Sequence, residues 1–247
     1  MKDFWESLKA LTHARIALGR AGNALPTAEW LMFKMAHSQA RDSVWCELDP
    51  ALLKEQLKIP KSQWIEVQSQ CQTKQEFLLR PDLGRKLGTE FQEALPKNES
   101  IDCVLILADG LAAQALHRHA QCFTDKFLEL LAQKGFKSGP VVLARYARVA
   151  LGDAIGEHLR ARSVLVLIGE RPGLGSSESL SIYFTYQPQV GKTDAQRNCI
   201  SNIQDRGIPP EHAAEMAVLL LEQALKKQLS GVDLKMEYPV RGERIGP

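Results

Sequence analysis

Between Val164 and Ile203 the chain gathers most of the side chains that could do chemistry. They are a carboxylate (Glu170), three hydroxyls (Ser176, Ser177, Ser179), two amides (Asn198, Asn202) and a thiol (Cys199). Glu170 and the backbone around it can accept hydrogen bonds, and the amides can both give and take them. That set suits a large neutral ligand studded with amide groups better than it suits a pyrophosphate. Phosphate cradles are missing: no G-x-x-x-x-G-K occurs, and Gly173 and Gly175 open a G-x-G-x-x-G whose third glycine is absent. A stand-alone nucleotide-binding enzyme is the alternative reading, and it would need such a loop. A thiol enzyme pairing Cys199 with His212 would need the histidine held by a third group, and no spacing supplies one. The plainer readings are a Glu170 that is solvated or paired with Arg171, and a Cys199 that is a small buried hydrophobe.

These residues need strands to hold them. Val164 to Ile168 is a short apolar run closed by Gly169, which predicts a strand buried on both faces. Leu180 to Tyr186 alternates and is aromatic, a second strand signal. Residues 191–202 form a polar segment that would cover the site. Upstream, DCVLILADG (102–110) predicts a buried strand, 111–134 a helix closed by Gly135, 140–149 a strand, and 153–159 a short helix. This β–α–β–α–β order implies a parallel sheet with right-handed crossovers. Ligands in such sheets bind outside the carboxyl ends of the strands, here at Asp109-Gly110, Val149-Ala150 and Gly169-Glu170. A helix from Pro209-Pro210 to about 229 and a last strand over 231–239 complete the half.

The first hundred residues read differently. A short amphipathic helix (1–11) precedes HARIALGRAGNALP, whose Gly19, Gly22 and Asn23 oppose a long helix. Thr27 caps a helix over 28–45 that carries Trp30, Leu31, Met35 and Val44, with Lys34, His37 and Arg41 on one polar face. Asp49-Pro50 opens another helix to Leu57. Pro60 and Ser62 restart a helix through Trp64 and Gln75, and 80–87 is a turn. The polar 94–100 marks a boundary. The expected class is α/β: a helical N-terminal region (1–100), which docks on a partner, followed by a Rossmann-like doubly wound parallel-sheet domain (101–247).

Composition narrows the function classes. A chain of 247 residues can bury roughly 70–75% of its unfolded surface, so it needs no metal or disulfide staple. A net charge of +2 gives no electrostatic case for nucleic acid or for an acidic membrane surface. No apolar run approaches the ~20 residues of a membrane span, and the N-terminus lacks a signal peptide's apolar centre. A cytoplasmic protein is expected. Five cysteines, an odd number without a C-x-x-C pair, argue for plain thiols rather than a disulfide or metal framework.

Four segments carry a resemblance. HARIALGRAGNALPTAEWLMFKMAHSQARDSVWCELD (13–49), RPDLGRKL (80–87), ADGLAAQALHRHA (108–120) and IGERPGLGSSESLSIYFTYQPQVGKTDAQRNCISNI (168–203) resemble the small (light) subunit of ethanolamine ammonia-lyase. The resemblance implies an adenosylcobalamin-dependent lyase that converts ethanolamine to acetaldehyde and ammonia by a radical route. It also implies a hetero-oligomer in which a separate, large barrel subunit carries the substrate site and its catalytic groups. It places corrin contacts on Val149, Glu170 and Cys199 and no catalytic residue on this chain. Glu170 would accept N–H bonds from the corrin's amide side chains, and Cys199 would be a contact rather than a nucleophile. With no D-x-H-x-x-G motif, no histidine of this chain is expected on cobalt. The family is often housed in a bacterial microcompartment. The few residues ahead of the matched region are too short for the packaging extension some members carry, which counts against that address here.

Overall fold

The computed structural model describes residues 4–12, 14–57, 59–60, 63–92 and 101–237. Its centre is a six-stranded sheet in the order β1-β3-β2-β4-β5-β6, with β1 Trp64–Gln68, β2 Val104–Ala108, β3 Val141–Arg145, β4 Ser163–Gly169, β5 Leu180–Tyr186 and β6 Asn198–Ile203. The pairs β1–β3, β3–β2 and β2–β4 are parallel. The pairs β4–β5 and β5–β6 are antiparallel, so the sheet is mixed rather than wholly parallel. The reason is length. Parallel neighbours need a crossover of a dozen or more residues, and only 170–179 separate β4 from β5.

β2, β3 and β4 are apolar throughout because both of their faces are covered. Leu105, Leu107, Leu143, Leu165 and Leu167 pack under α6 (Ala113–Gln133) and α8 (Pro210–Lys227). The alternate residues Val104, Ile106, Val142, Val164 and Val166 pack under α7 (Leu151–His158). Period-two alternation of the strand sends successive side chains to opposite layers. α6 carries the chain from β2 to β3 on one side, and α7 then returns it past β2 to β4 on the opposite face. The direction of winding therefore reverses between β2 and β4, and a crevice opens at their carboxyl ends.

The N-terminal part contains α1 (Phe4–Lys9), α2 (Thr27–Trp45), α3 (Pro50–Leu57), α4 (Lys74–Leu79) and the single turn α5 (Thr89–Gln92). Asp49 caps α3 as its type predicts, its Oδ1 accepting from the amides of Ala51 (3.0 Å) and Leu52 (3.1 Å). Leu53 and Leu57 then face α6. Around α2, Pro26 rather than Thr27 holds the cap position, with no side-chain cap bond.

Three expectations are corrected. The helix expected from Pro60 through Gln75 is instead β1, a turn and α4. WIEVQ pairs in register with β3, Trp64 against Val141 through Gln68 against Arg145. Its two-residue alternation is too short to outweigh nearby helix-start signals, and only the exposed edge of a distant strand decides it. β3 stops at Arg145 and does not run to Val149, because Tyr146 turns into the left-handed region (φ +52°). The strand expected over 231–239 is a 3-10 turn, Gly231–Asp233, followed by irregular chain to 237. The boundary placed at 94–100 lies outside the described residues.

Among the described residues no helix is long and apolar enough to cross a membrane. No cluster of three or more His, Cys, Asp or Glu there could hold a metal ion.

Candidate functional site

The crevice at the reversal point is an open cleft of about 390 Å³. Its floor and walls include Gly110 and Leu111 after β2, Arg148 and Val149 ahead of α7, Glu170 after β4, and Tyr183 on β5. Two glycines close the floor. Leu111 donates from its amide to the Gly169 carbonyl at 3.1 Å, so the ends of β2 and β4 touch backbone to backbone. Gly110 takes a left-handed φ of +53°, which costs a glycine little. A Cβ on Gly169 would lie 2.3 Å from the Ala112 carbonyl oxygen and 2.6 Å from that of Asp109. Gly169→Ala should therefore lower stability by about 1–3 kcal/mol, the range for overpacking. A thermal melt checks it, and an unshifted midpoint would show that the strand ends separate freely.

Asp109 sits beneath this floor, 1% exposed. Its carboxylate accepts from the amides of Tyr146 (2.7 Å) and Ala147 (2.9 Å) and so holds the turn that delivers Arg148 and Val149 to the cleft. Burial pushes its pKa up, opposed chiefly by the charge of Lys74. Lys74 is itself buried, donates to the Gly110 carbonyl at 3.3 Å, and has its pKa pushed down by burial.

Glu170 follows β4 directly. Its amide donates to the Ser179 carbonyl (2.9 Å), and its carboxylate accepts from the hydroxyls of Ser179 (2.7 Å) and Ser181. One serine serves each oxygen. An ionised carboxylate has about four acceptor sites, so lone pairs remain for a ligand's N–H groups. Arg171 is not its partner; the two serines are. Cys199 stands on β6 beside Tyr183, its register partner on β5, and is exposed. Packing around the sulfur raises the thiol pKa, the side chains of Tyr183 and Ser181 lower it, and the nearby Glu170 charge raises it further. Tyr183 is pushed up to about 12, first by burial and then by Cys199.

The structure thus brings Val149 and Glu170 to one cleft and sets Cys199 at its edge through Tyr183. Val149 arrives on a turn two residues ahead of α7, not on a strand end. The two amides go elsewhere. Asn198 Nδ2 donates to the carbonyls of Gly231 (3.1 Å) and Leu234 (3.0 Å), fastening the C-terminal segment. Asn202 accepts from the Gln204 side chain. Ser176 bonds Gln204, and the Ser177 carbonyl accepts from Ser43 at 2.7 Å, so these residues tie loops together. His212 lies 3.2 Å from Glu215 on the exposed first turn of α8, and the polar neighbours of Cys199 are Tyr183, Ser181 and Glu170. With a raised thiol pKa, this is no nucleophile–base pair.

Ser181, Tyr183 and Arg148 escaped the sequence reading. Ser181 and Tyr183 share one face of β5 by two-residue alternation, which was the available signal; Arg148 had none.

Comparison with known proteins places the chain. Residues 2–235 match the family model described as "Ethanolamine ammonia-lyase light chain (EutC)". The chain is 47% identical over 241 residues to the ethanolamine ammonia-lyase small subunit of Xanthomonas campestris pv. campestris, covering 96% of this chain and 89% of that protein. It is 46% identical over 241 residues to the protein of the same name from Pseudomonas putida, with 96% and 89% covered. For Pseudomonas fluorescens the identity is 45% over 242 residues, with 96% and 88% covered.

Proposed function

Because the chain belongs to the ethanolamine ammonia-lyase light-chain family, we propose that it is the subunit that holds one side of adenosylcobalamin while a large subunit carries the substrate site. The observation that carries this reading is the cleft at the winding reversal, where Val149 and Glu170 meet. Its residues fit a corrinoid. A carboxylate with spare lone pairs faces amide donors, Val149 and Leu111 offer apolar contact, and Tyr183 offers an aromatic face. An open cleft of about 390 Å³ suits half a clamp rather than a closed pocket, so a second polypeptide completes it. We read the domain as Rossmann-like, with its ligand at the reversal point that such sheets use.

Adenosylcobalamin supplies the radical that starts the conversion of ethanolamine to acetaldehyde and ammonia. This chain's part is binding and orientation. Ser179 and Ser181 fix the Glu170 carboxylate, Asp109 fixes the turn bearing Val149, and the touching strand ends give the cleft a rigid floor. In this reading the described residues of the cleft bind and orient the ligand, and the acid–base chemistry belongs to the large subunit.

The test is reconstitution with the large subunit and an assay of cobalamin-dependent acetaldehyde release. Glu170→Ala should weaken cobalamin binding by about 1–3 kcal/mol, the loss for one hydrogen-bond partner, or roughly 5- to 150-fold. An unchanged dissociation constant would remove Glu170 from the site.

α2 supports the docking role of the N-terminal region. Trp30, Leu31, Met32, Phe33 and Met35 are all exposed, and only Ala36 and Ser43 of this 19-residue helix are buried. Exposed apolar surface of that extent around one helix of a small subunit is covered in its assembly. Leu31 and Met35 lie one turn apart on the same side. Exchanging both for glutamate should cut co-purification of the large subunit roughly 30-fold or more, as loss of about 2 kcal/mol at an interface centre would. Assembly at the native level would place the interface elsewhere.

A further inference from the structure

Most half-buried or anchored arginines of this chain have a carboxylate. Arg197 meets Asp153 and Asp194, Arg118 meets Glu178 and Asp205, and Arg162 meets Asp102. Arg148 does not. It is half-buried on the cleft wall, and its Nε is buried with no hydrogen-bond partner among the described residues. The charges of Arg85 and Arg171 act on it, neither forming an ion pair among the described residues, and the buried Asp109 opposes them more weakly. Burial pushes the Arg148 pKa down, and those two guanidinium groups push it further. Arg148 and Arg171 therefore line the cleft with Arg85 near by, and no carboxylate forms an ion pair with any of the three among the described residues.

Arg148 is also held in place. Its amide donates to the Gly84 carbonyl at 2.8 Å, and one of its guanidinium nitrogens (Nη2) donates to the Phe77 carbonyl at 3.3 Å. The guanidinium stacks over the Phe77 ring at 4.4 Å. Gly84 leaves room for this, since a Cβ there would come within 2.9 Å of the Arg148 Cγ. Three residues further on, α7 begins, and its N-terminal end adds partial positive charge to the same wall. A like-charge group kept in one orientation against repulsion is the preorganised half of an anion site.

We propose that Arg148, supported by Arg171 and Arg85, forms an anion subsite that takes the phosphodiester of cobalamin's nucleotide arm. The inference rests on the corrinoid reading of the cleft and deepens it. Glu170 lines the same cleft, so the ligand must offer N–H donors to one group and a fixed anion to the other. A corrinoid with amide side chains and one phosphodiester does both. Inorganic phosphate offers only the anion, and a nucleoside triphosphate would bring several negative charges near Glu170.

The experiment compares two ligands on the complex reconstituted with the large subunit. Cobalamin carries the phosphodiester arm, whereas cobinamide keeps the corrin and its amides and lacks that arm. Dissociation constants come from the visible bands. Arg148→Gln should weaken cobalamin about 10- to 150-fold, the loss of a hydrogen bond to a charged group, and leave cobinamide within about twofold. Arg148→Lys should fall between, because an ammonium keeps the charge but not the planar fork. The double variant Arg85→Gln/Arg171→Gln changes exposed side chains only, so it decides the matter if Arg148→Gln fails to fold. It should weaken cobalamin several-fold and flatten the dependence of its affinity on salt. Equal losses for both ligands, or unchanged cobalamin affinity with unchanged salt dependence, would overturn the subsite. Failure of the unaltered complex to bind either ligand would instead sink the corrinoid reading itself.

Discussion

Asp109→Ala is expected to be the most damaging single change in the sheet, costing about 3–5 kcal/mol. Three losses coincide there. The amides of Tyr146 and Ala147 lose their acceptor inside the protein, and each buried donor left unpaired costs about 1–3 kcal/mol. The buried Lys74 loses the opposite charge that offsets its desolvation. Tyr146, in the left-handed region at φ +52°, loses the bonds that hold it there. The turn would relax and carry Arg148 and Val149 away from the cleft, so cobalamin affinity should fall together with stability. Asp109→Asn keeps one acceptor and points a donor at a second donor, so it should lie between. Urea unfolding of the isolated chain reads the stability effect. A midpoint within the equivalent of about 1 kcal/mol of the native value would mean that the turn holds itself.

Asp153→Ala ranks beside it. Asp153 on α7 and Arg197 ahead of β6 form an ion pair in which both side chains are 2% exposed. Arg197 also bonds Asp194 at 2.9 Å and the Lys192 carbonyl at 3.0 Å. The Arg197 Nε is already without a partner. Removing the carboxylate leaves a guanidinium in a site that excludes water, which typically costs about 3–5 kcal/mol. Replacing both members by apolar residues should recover much of that, since burying an ion pair is itself costly. The double variant Asp153→Leu/Arg197→Met is therefore expected to be more stable than Asp153→Ala, and a double-mutant cycle measures the coupling. If Asp153→Ala costs less than about 1 kcal/mol, the segment 191–197 is anchored by something other than this pair. Because Arg197 leads into β6, the single variant should also loosen the edge that carries Cys199.

The two substitutions act on opposite sides of one device. Asp109 fixes what comes up from β3, and Asp153 with Arg197 fixes the approach to β6, whose Cys199 pairs with Tyr183. Neither residue touches the proposed ligand. Both are expected to alter its affinity only by moving residues that do.

What the amino-acid order alone determined is local or strongly patterned. Apolar runs marked β2 and β4, Asp49-Pro50 marked the start of α3, and the apolar positions Ala115, Phe123, Phe127, Leu130 and Leu131 marked α6. Strand–helix alternation put Asp109-Gly110, Val149-Ala150 and Gly169-Glu170 at carboxyl ends, although β3 stops at Arg145, and motif resemblance singled out Val149, Glu170 and Cys199. What only the tertiary structure decided involves partners far apart in the chain. β1 becomes a strand because β3, more than seventy residues on, offers it an edge. Arg197 looks like one more charge in a polar segment, and its burial follows from an aspartate 44 residues away. Asn198 and Asn202 have the right chemistry for a ligand, but the Asn198 amide is spent on the backbone and the Asn202 oxygen accepts from the Gln204 side chain. Arg148 carries no local signal at all; its meaning comes from the carboxylate that the fold fails to place beside it. Periodicity and capping are short-range, whereas which charges share a low-dielectric site depends on register and winding, and those are fixed only when the sheet closes.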